Sequence, residues 1–328
     1  MFHSAPIFQQ LDTHPMAHCA TLTELPDGTL VAAWFAGAFE TAPNQVIMAA
    51  WWSPATQQWS PPRIIAAAAH RAVGQPVLFV HPKGEIWLFF VVITDQDWRS
   101  SQPYLQRSAD GGRTWSEPVH LMDYPGLMFR SKPLLLGERL LIPAYDERRW
   151  VSFMLLSDDG GHTWRLSAVI ETPPGNIHPT VVRLGDGRLL AYLRPGGKGG
   201  VIWRTESADG GETWRTPTPT TFPNPNSGID LIRLRSGRLA LAYNPSPYLR
   251  TPLAVALAEE DERGWVQRIL ERDRAEFSYP TLWQHRSGEI HLVYTYRRTH
   301  IQHARFTEAW LRQGHPLQPE HVVDARTT

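Results

Sequence analysis

The chain has 328 residues and a formal net charge of zero, with 32 basic and 32 acidic side chains. The lack of a basic tract argues against nucleic acid and anionic membranes as partners. The chain also lacks the run of about eighteen apolar residues that would predict a membrane span. A single cysteine, Cys19, excludes an intramolecular disulfide, and without a recognisable secretory leader we expect a cytoplasmic protein, or a secreted one if a leader was removed.

Hairpin signals recur along the chain from its beginning. Two strand-like runs, 20–25 and 29–35, flank the turn residue Gly28, and equivalent glycines follow at steps of 50 to 56 residues. These glycines are Gly28, Gly84, Gly137, Gly187, Gly237 and Gly288. Glycine suits such turns because it adopts positive φ without a steric penalty. Each glycine therefore predicts a β-hairpin.

A second series, in phase with the first, consists of eight-residue boxes with the pattern Ser-x-Asp-Gly-Gly-x-Thr-Trp. The boxes occupy residues 108–115, 157–164 and 207–214, at intervals of 49 and 50 residues. Degenerate copies end at Trp59, Trp265 and Trp310. The box carboxylate can accept backbone N–H groups that follow it, and the tryptophan can bury its ring against the sheet. We therefore interpret Asp110, Asp159 and Asp209 as structural residues rather than catalytic ones.

The doubled repeat predicts the fold. Six units of about fifty residues, each with two hairpins, are typical of an all-β, six-bladed β-propeller with four-stranded antiparallel blades. We expect a single domain over residues 1–328, with the blade repeats at about 16–310. Residues 1–15 and 315–328 are expected to close an edge or to fray, and the proline-rich stretch 217–226 is expected to be a loop between blades 4 and 5.

The boxes resemble the Asp-box (BNR) repeats of the sialidase superfamily, and the resemblance covers roughly residues 16–306. It is closest to a divergent, sialidase-like branch. Sites of propellers lie at the mouth of the central channel, where the innermost strands begin. Here those strands begin with polar residues ahead of apolar runs, at His18/Cys19, Gln75, Arg130/Lys132, His178, Ser227/Asp230 and Tyr279.

The sialidase pattern carries over unevenly to these positions. The resemblance implies that Tyr279 is a nucleophile, since sialidases use tyrosine where other glycosidases use a carboxylate. It also implies that Arg194 and Arg250 bind a sugar carboxylate, which a planar guanidinium can do in a bidentate way. His18 stands where the first-blade arginine would be, and His178 stands where the glutamate that partners the tyrosine would be.

We predict an exo-acting glycoside hydrolase on a carboxylate-bearing sugar of the sialic or uronic acid type. In this reaction Glu40 is the nearest match for the general acid, and His178 or Glu276 activates Tyr279. The alternative is a lyase acting by β-elimination on a uronate, where His178 or Tyr279 removes the C5 proton. A non-catalytic propeller that binds a glycan or a protein is the third hypothesis.

Further substrate-binding candidates lie around the same mouth. They are Arg130, Lys132, Gln75, Asn226, Asp230, Tyr248 and Arg297. Ion pairs between blades are the competing interpretation for the arginines, and turn chemistry is the competing one for Asn226. No cofactor is expected, although His18 and His178 with a carboxylate would permit a metal ion. A carbohydrate is the expected partner, and the sequence leaves the oligomeric state open.

Overall fold

The computed structural model describes residues 2–95 and 97–317, and within them the strands form six antiparallel sheets of four or five strands each. The innermost strands of neighbouring sheets contact one another in a closed cycle, so the sheets are blades around a central channel. The predicted six-bladed β-propeller is confirmed. Apolar side chains such as Trp34, Phe89 and Phe153 fill the space between neighbouring blades.

Blades 1 to 3 follow the chain from the innermost strand outward. Blade 1 contains β2 (Met16–Glu24), β3 (Leu30–Gly37), β4 (Val46–Ser53), β5 (Gln58–Trp59) and β6 (Arg63–Ala66). Blade 2 contains β7 (Val73–Val80), β8 (Ile86–Ile93), β9 (Ser101–Ser108) and β10 (Val119–His120). Blade 3 contains β11 (Leu127–Phe129), β12 (Leu134–Leu136), β13 (Arg139–Asp146), β14 (Val151–Ser157) and β15 (Arg165–Leu166).

Blades 4 to 6 complete the ring and take in both ends of the described chain. Blade 4 contains β16 (Asn176–Arg183), β17 (Leu189–Pro195), β18 (Gly200–Ser207) and β19 (Thr218–Asn224). Blade 5 contains β20 (Asp230–Arg233), β21 (Leu239–Tyr243), β22 (Leu253–Ala258), β23 (Val266–Glu271) and β27 (His315–Pro316). Blade 6 contains β24 (Phe277–Gln284), β25 (Ile290–Tyr296), β26 (His300–Phe306) and β1 (Phe2–Pro6). The short helices are a 3₁₀ turn (Trp98–Ser100) and α1 (Glu308–Arg312).

Strand β1 closes the ring. It pairs antiparallel with β26, with Ser4 opposite Ala304, so the beginning of the chain supplies the outermost strand of blade 6. The expectation that the first residues close an edge is confirmed for this strand. At the other end β27 pairs with β23, and the part of the predicted C-terminal segment at 318–328 lies outside the described residues.

The prediction of a loop over 217–226 was wrong for most of this stretch, because β19 is the outermost strand of blade 4. Pro219 and Pro223 lie opposite Trp203 and Val201 of β18. A proline lacks the N–H that a central strand must donate, but an outermost strand can spare it on the side that faces away from the sheet. Proline content therefore marked an edge strand rather than a loop.

The box turns are held by hydrogen bonds within each turn. Ser157 Oγ donates to Asp159 Oδ1 at 2.8 Å, and the backbone N–H groups of His162 and Thr163 donate to the same oxygen at 3.0 and 2.9 Å. The Thr163 hydroxyl donates to Asp159 Oδ2 at 2.6 Å. These hydrogen bonds, with that of Thr163 foremost, hold the pKa of Asp159 below its usual range. The geometry agrees with the structural role predicted for the boxes.

The alternation of antiparallel strands decides at which end of the channel each residue lies. The turn glycines join first to second strands, and the boxes follow third strands, so both lie at one end of the propeller. The innermost strands begin, and the second strands end, at the opposite end. We call this opposite end the channel mouth.

Candidate active site at the channel mouth

The inner strands of blades 1, 2, 4 and 6 bulge at one shared position, nine residues before each turn glycine. Cys19, Gln75, His178 and Tyr279 occupy it with φ of 60°, 51°, 50° and 53°, and the strand register shifts around each of them. Positive φ costs a non-glycine residue about 1–2 kcal/mol. Strain of this kind concentrates at functional sites, where the surrounding structure maintains it.

Tyr279 is the centre of the cluster. Arg194, at the end of β17, donates from Nη1 to Tyr279 Oη at 3.0 Å. The guanidinium carbons of Arg130, Arg194 and Arg250 lie 5.5, 5.6 and 5.3 Å from the centroid of the Tyr279 ring. The ring centroid of His18 is nearer, at 4.3 Å. Residues predicted from separate blades therefore converge on one phenol.

The carboxylate-binding candidates Arg194 and Arg250 are both fixed by Asn226. Arg194 Nε donates to Asn226 Oδ1 at 2.7 Å, and Arg250 Nη2 lies 3.5 Å from the backbone oxygen of Asn226. Arg250 Nη1 also donates to Glu276 Oε1 at 2.9 Å. Asn226 itself has positive φ, 57°. Asn226 therefore lies in a turn, as its sequence context suggests, and this turn places its oxygens beside both guanidinium groups.

His178 lies against Arg194 and Tyr145. Arg194 Nη1 is 3.2 Å from His178 Nδ1 and 3.4 Å from Nε2, and the Tyr145 hydroxyl is 3.0 Å from Nε2. Burial, reinforced by the charge of Arg194, lowers the pKa of His178 well below its usual value, so the imidazole is neutral at pH 7. The ring centroids of His178 and Tyr279 are 5.4 Å apart, and Arg194 contacts both side chains.

His18 is 1% exposed, and its Nδ1 lies 2.8 Å from the hydroxyl oxygen of Thr295. Among the described residues its Nε2 has no hydrogen-bond partner. Burial, together with the charges of Arg298 and other nearby arginines, lowers the pKa of His18 well below its usual value. His18 therefore contributes a neutral, buried ring, with one nitrogen that has no hydrogen-bond partner, where the resemblance places a cation.

The carboxylates predicted as acid or activator lie on either side of Arg298. Arg298 Nε donates to Glu276 Oε2 at 2.9 Å, and its Nη1 donates to Glu40 Oε2. Glu40 Oε1 accepts a hydrogen bond from Trp98 Nε1 at 3.1 Å. Burial alone would raise the pKa of Glu276, but hydrogen bonds from Arg298 and Ser278 hold it below the usual value. Both carboxylates line the mouth, and each is engaged with cations.

Arg130 and Lys132 reach across the channel to inner strands of other blades. Arg130, from blade 3, donates to Pro280 O at 2.9 Å and to Thr281 Oγ1 at 3.1 Å on the opposite blade 6. Lys132 pairs with Asp230 of blade 5. These predicted binding residues are therefore engaged by the inner strands of blades 5 and 6, and their side chains obstruct the channel. We call the part of the channel around Tyr279 the funnel.

Arg297 is not part of the cluster, because its side chain points outward. It donates to Asp273 Oδ2 at 3.1 Å, lies over the Tyr296 ring and is half exposed. Its neighbour Arg298 is the arginine that reaches the mouth. The alternation of a strand does not decide which of the two arginines faces the mouth, since both have positive φ (53° and 57°).

The remaining candidates lie at the edge of the cluster. Gln75 is buried, and its Oε1 accepts a hydrogen bond from Cys19 Sγ at 2.9 Å. Tyr248 is 82% exposed, on the loop that leads to Arg250. Gln75 therefore supports the wall between blades 1 and 2, and Tyr248 offers an aromatic face outside the funnel.

The sequence analysis missed Tyr145, Glu147 and Trp98. Burial raises the pKa of Glu147 to about 7, although the charges of Arg194 and Arg99 oppose that rise. Tyr145 and Glu147 follow the apolar run of a second strand, as Arg194 does one blade later. That shared position was a usable signal for both residues. Trp98 packs on Phe35 with ring centroids 5.6 Å apart. No local sequence pattern predicts this contact.

Within residues 2–95 and 97–317, no group of three or more His, Cys, Asp or Glu side chains is arranged to hold a metal ion. In the same ranges, no helix has the length and apolar character needed to cross a membrane.

Comparison with known proteins places the chain among propellers with the same repeat. A family model described as "BNR repeat-like domain" matches residues 28–292. No protein of established, curated function matches the chain.

Several solved structures share the fold. A protein of unknown function from Dyadobacter fermentans has a TM-score of 0.79 at 18% identity, over 93% of this chain and 98% of that one. The Hadza microbial sialidase Hz136 has a TM-score of 0.80 at 18% identity, over 94% and 69% of the two chains. The NanB sialidase from Streptococcus pneumoniae has a TM-score of 0.78 at 14% identity, over 94% and 71%. At these identities the similarity shows the fold alone.

Proposed function

The chain belongs to the BNR repeat-like domain family, and on that basis we propose that it is an exo-acting glycoside hydrolase whose substrate sugar bears a carboxylate. The observation that carries the proposal is the convergence of Arg194 and Arg250 on Tyr279, within about the width of one sugar ring. Because the side chains of Arg130 and Lys132 obstruct the channel, the funnel suits a terminal sugar better than a chain that passes through. This favours exo-acting cleavage.

Arg194 and Arg250 would bind the sugar carboxylate. Asn226 and Glu276 fix both guanidinium groups before a ligand arrives, which reduces the entropy lost on binding. A fixed guanidinium can engage a carboxylate through parallel N–H donors. The neutral, buried His18 adds no third charge. We therefore expect weaker recognition of sialic acid than three arginines would give.

In the hydrolytic reaction His178 accepts the phenol proton while Tyr279 Oη attacks the anomeric carbon, and the bond from that carbon to the leaving oxygen breaks. The surrounding arginines stabilise negative charge that develops near the phenol oxygen. A carboxyl group donates a proton to the leaving oxygen, and water later releases the sugar from Tyr279. Glu40 is the first candidate for the acid. Glu147 is the second, because its pKa of about 7 leaves it substantially protonated at neutral pH.

One observation favours β-elimination as a second candidate reaction. In the described part of the chain, Tyr279 Oη has Arg194 as its hydrogen-bond partner and no carboxylate oxygen, while His178 is a neutral base nearby. In elimination the arginines neutralise a uronate carboxylate, and Tyr279 or His178 removes the proton on C5. The bond from C4 to the leaving oxygen breaks, that oxygen receives a proton, and an unsaturated uronate remains.

The test is incubation with sialyl, uronyl and neutral oligosaccharides, with two readouts in parallel. Reducing-end release without new ultraviolet absorbance supports hydrolysis, and new absorbance of an unsaturated uronate supports elimination. Neither signal on any member of the panel contradicts the proposal and favours the binding propeller.

The control is a matched pair of tyrosine variants. Tyr279→Phe is expected to remove the signal while the unfolding midpoint stays close to that of the wild type. Tyr104→Phe alters a tyrosine that stacks on Phe90 in blade 2, away from the mouth, and should retain full activity. Equal activity of Tyr279→Phe and wild type would refute the assignment of Tyr279.

A further inference from the structure

A relay of buried imidazoles lies at the seam between blades 6 and 1, away from the channel mouth. Nε2 of His303 (β26) is 2.9 Å from Nδ1 of His291 (β25), and the two ring centroids are 5.1 Å apart. Trp59 Nε1, from blade 1, donates to His303 Nδ1 at 3.1 Å. His291 Nε2 faces Glu289 Oε2 at 3.4 Å. The relay therefore runs from an indole of one blade to a carboxylate of the next.

These contacts decide where each proton lies. An indole N–H only donates, so His303 Nδ1 must accept, and the single proton of neutral His303 is on Nε2. That proton points at His291 Nδ1, which must accept in turn. The single proton of neutral His291 is therefore on Nε2, which lies 3.4 Å from Glu289 Oε2 without forming a hydrogen bond. The donors and acceptors match from Trp59 through His303 to His291, and the relay ends in an electrostatic contact with Glu289.

A second proton on either ring would break the relay. On His303 it would occupy Nδ1, directly against the N–H of Trp59. On His291 it would also occupy Nδ1, directly against the N–H of His303. Each addition places two donors face to face, so a buried hydrogen bond is lost and a charge is left inside the seam.

Few charged groups face the relay to offset such a proton. The titratable and charged side chains around it are Glu289 on the turn before β25, Arg305 on β26, His285 at the end of β24, Glu24 on β2 and His3 on β1. Burial lowers the pKa of His291, against the opposing effect of Glu289. Burial, with the charges of His291 and Arg305, lowers the pKa of His303 well below its usual value.

The relay lies where the ring of blades closes, between blade 6 and blade 1. His303 lies opposite Ala5 of β1 in the strand register, and His291 packs on Trp52 of blade 1 with ring centroids 5.0 Å apart. We propose that the relay of Trp59, His303, His291 and Glu289 is an acid-sensitive latch. It holds blade 6 and its terminal strand β1 against blade 1 at neutral pH, and it opens when an imidazole takes up a second proton.

The sign of the pH dependence follows from the lowered pKa values. Below about pH 6.5 the unfolded chain binds protons at these histidines and the folded chain does not. Stability is therefore full above that pH and falls below it, and each such histidine raises the unfolding equilibrium constant by up to about tenfold per pH unit.

The first experiment compares urea unfolding between pH 7.5 and 5.5 for wild type and two glutamine variants. His303→Gln keeps one acceptor and one donor but cannot titrate. His162→Gln removes an exposed histidine from a box turn and is the matched control. We expect His303→Gln to lose stability less steeply, by about tenfold per pH unit in the unfolding constant, and His162→Gln to follow the wild type. Equal slopes for all three proteins would overturn the proposal.

A second measurement needs no variant and remains available if His303→Gln does not fold. Hydrogen–deuterium exchange of wild type, corrected for the intrinsic pH dependence of exchange, should show β1 and β26 opening at pH 5.5 before β21 and β22 of blade 5. Uniform loss of protection over all blades would mean global unfolding without a latch. The buried His18 and His178 are present in every protein compared, so their contribution cancels in the first experiment.

Discussion

The two ends of the propeller arise from the same repeat and differ in what the repeat fixes. At the end opposite the mouth, which we call the box end, the box aspartates make nearly the same local hydrogen bonds, at Asp110, Asp159 and Asp209. At the channel mouth the equivalent inner-strand positions carry different side chains: Cys19, Gln75, His178, Gly228 and Tyr279. The repeated hydrogen bonds of the boxes stabilise the blades, and the differing side chains at the mouth form the candidate site.

The inner strands at the mouth also carry backbone strain, and positive charge is concentrated there around one side chain. Their bulges hold positive φ at non-glycine residues, and the arginines of the mouth surround a phenol. Even the glycine at this position contributes, because a Cβ on Gly228 would lie 3.3 Å from the Tyr279 ring. We therefore expect variants at the box end to change mainly stability, and variants at the mouth to change mainly the proposed activity.

The largest effect is expected for Arg194→Lys. Lysine cannot contact Tyr279, His178 and Asn226 together, because it lacks the planar fork of donors. Loss of a charge-assisted contact at the reacting centre should reduce kcat/KM by about 10²-fold. Steady-state kinetics on the substrate found in the panel measures it.

Arg297→Lys provides the matched control for that change. Arg297 lies over Tyr296 and pairs with exposed Asp273, so its replacement should leave kcat/KM within about twofold of wild type, as for most surface substitutions. If Arg297→Lys and Arg194→Lys impaired the enzyme equally, the division between the funnel and its surroundings would be mistaken.

The next effect concerns Glu147, and it is a gain of stability. Its pKa is about 7 in the folded protein and 4.5 as the ordinary value, so the carboxyl destabilises the fold increasingly as pH rises between those values. Glu147→Gln should therefore raise the free energy of unfolding at pH 8 by about 1–3 kcal/mol. It should have little effect at pH 4.5, where the folded carboxyl is protonated and the unfolded one is half protonated. Urea unfolding at the two pH values tests the sign; an unchanged stability at pH 8 would contradict it.

The smallest effect is expected for a substitution at the box end. Asp159→Ala removes the acceptor for Ser157, His162 and Thr163, so the midpoint of urea unfolding should fall while kcat/KM stays unchanged. Because the pKa of Asp159 is below its usual value, this difference from wild type is present above about pH 4 and shrinks as the carboxylate is protonated. A loss of activity without a loss of stability would argue against two separate ends.

The contrast between the ends also explains what the sequence could predict. The boxes and turn glycines act through contacts a few residues away, so their spacing was enough to predict the blades. The resemblance selected Tyr279 and Arg194, and the strand order and direction given by the repeat place both residues at the channel mouth. These are properties of local sequence and regular topology.

What the sequence could not predict depends on irregular backbone or on distant partners. Arg297 and Arg298 both have positive φ, so their directions do not follow from alternation. Arg130 reaches across the channel to Thr281, and only the closed ring reveals that partner. Pro219 and Pro223 suggested a loop because prolines occur in both loops and edge strands, and the local sequence does not distinguish the two. The pKa of Glu147 depends on burial that the packed loops create.

Strand β1 has a consequence for how the protein is made. Its residue Ser4 pairs with Ala304, so the partner of the first strand leaves the ribosome about 300 residues later. At translation rates of roughly 5–20 residues per second, β1 stays unpaired for about 15 to 60 seconds while the other blades emerge. A nascent chain stalled before residue 300 should therefore leave Phe2–Pro6 open to proteases, and completion of synthesis should protect it.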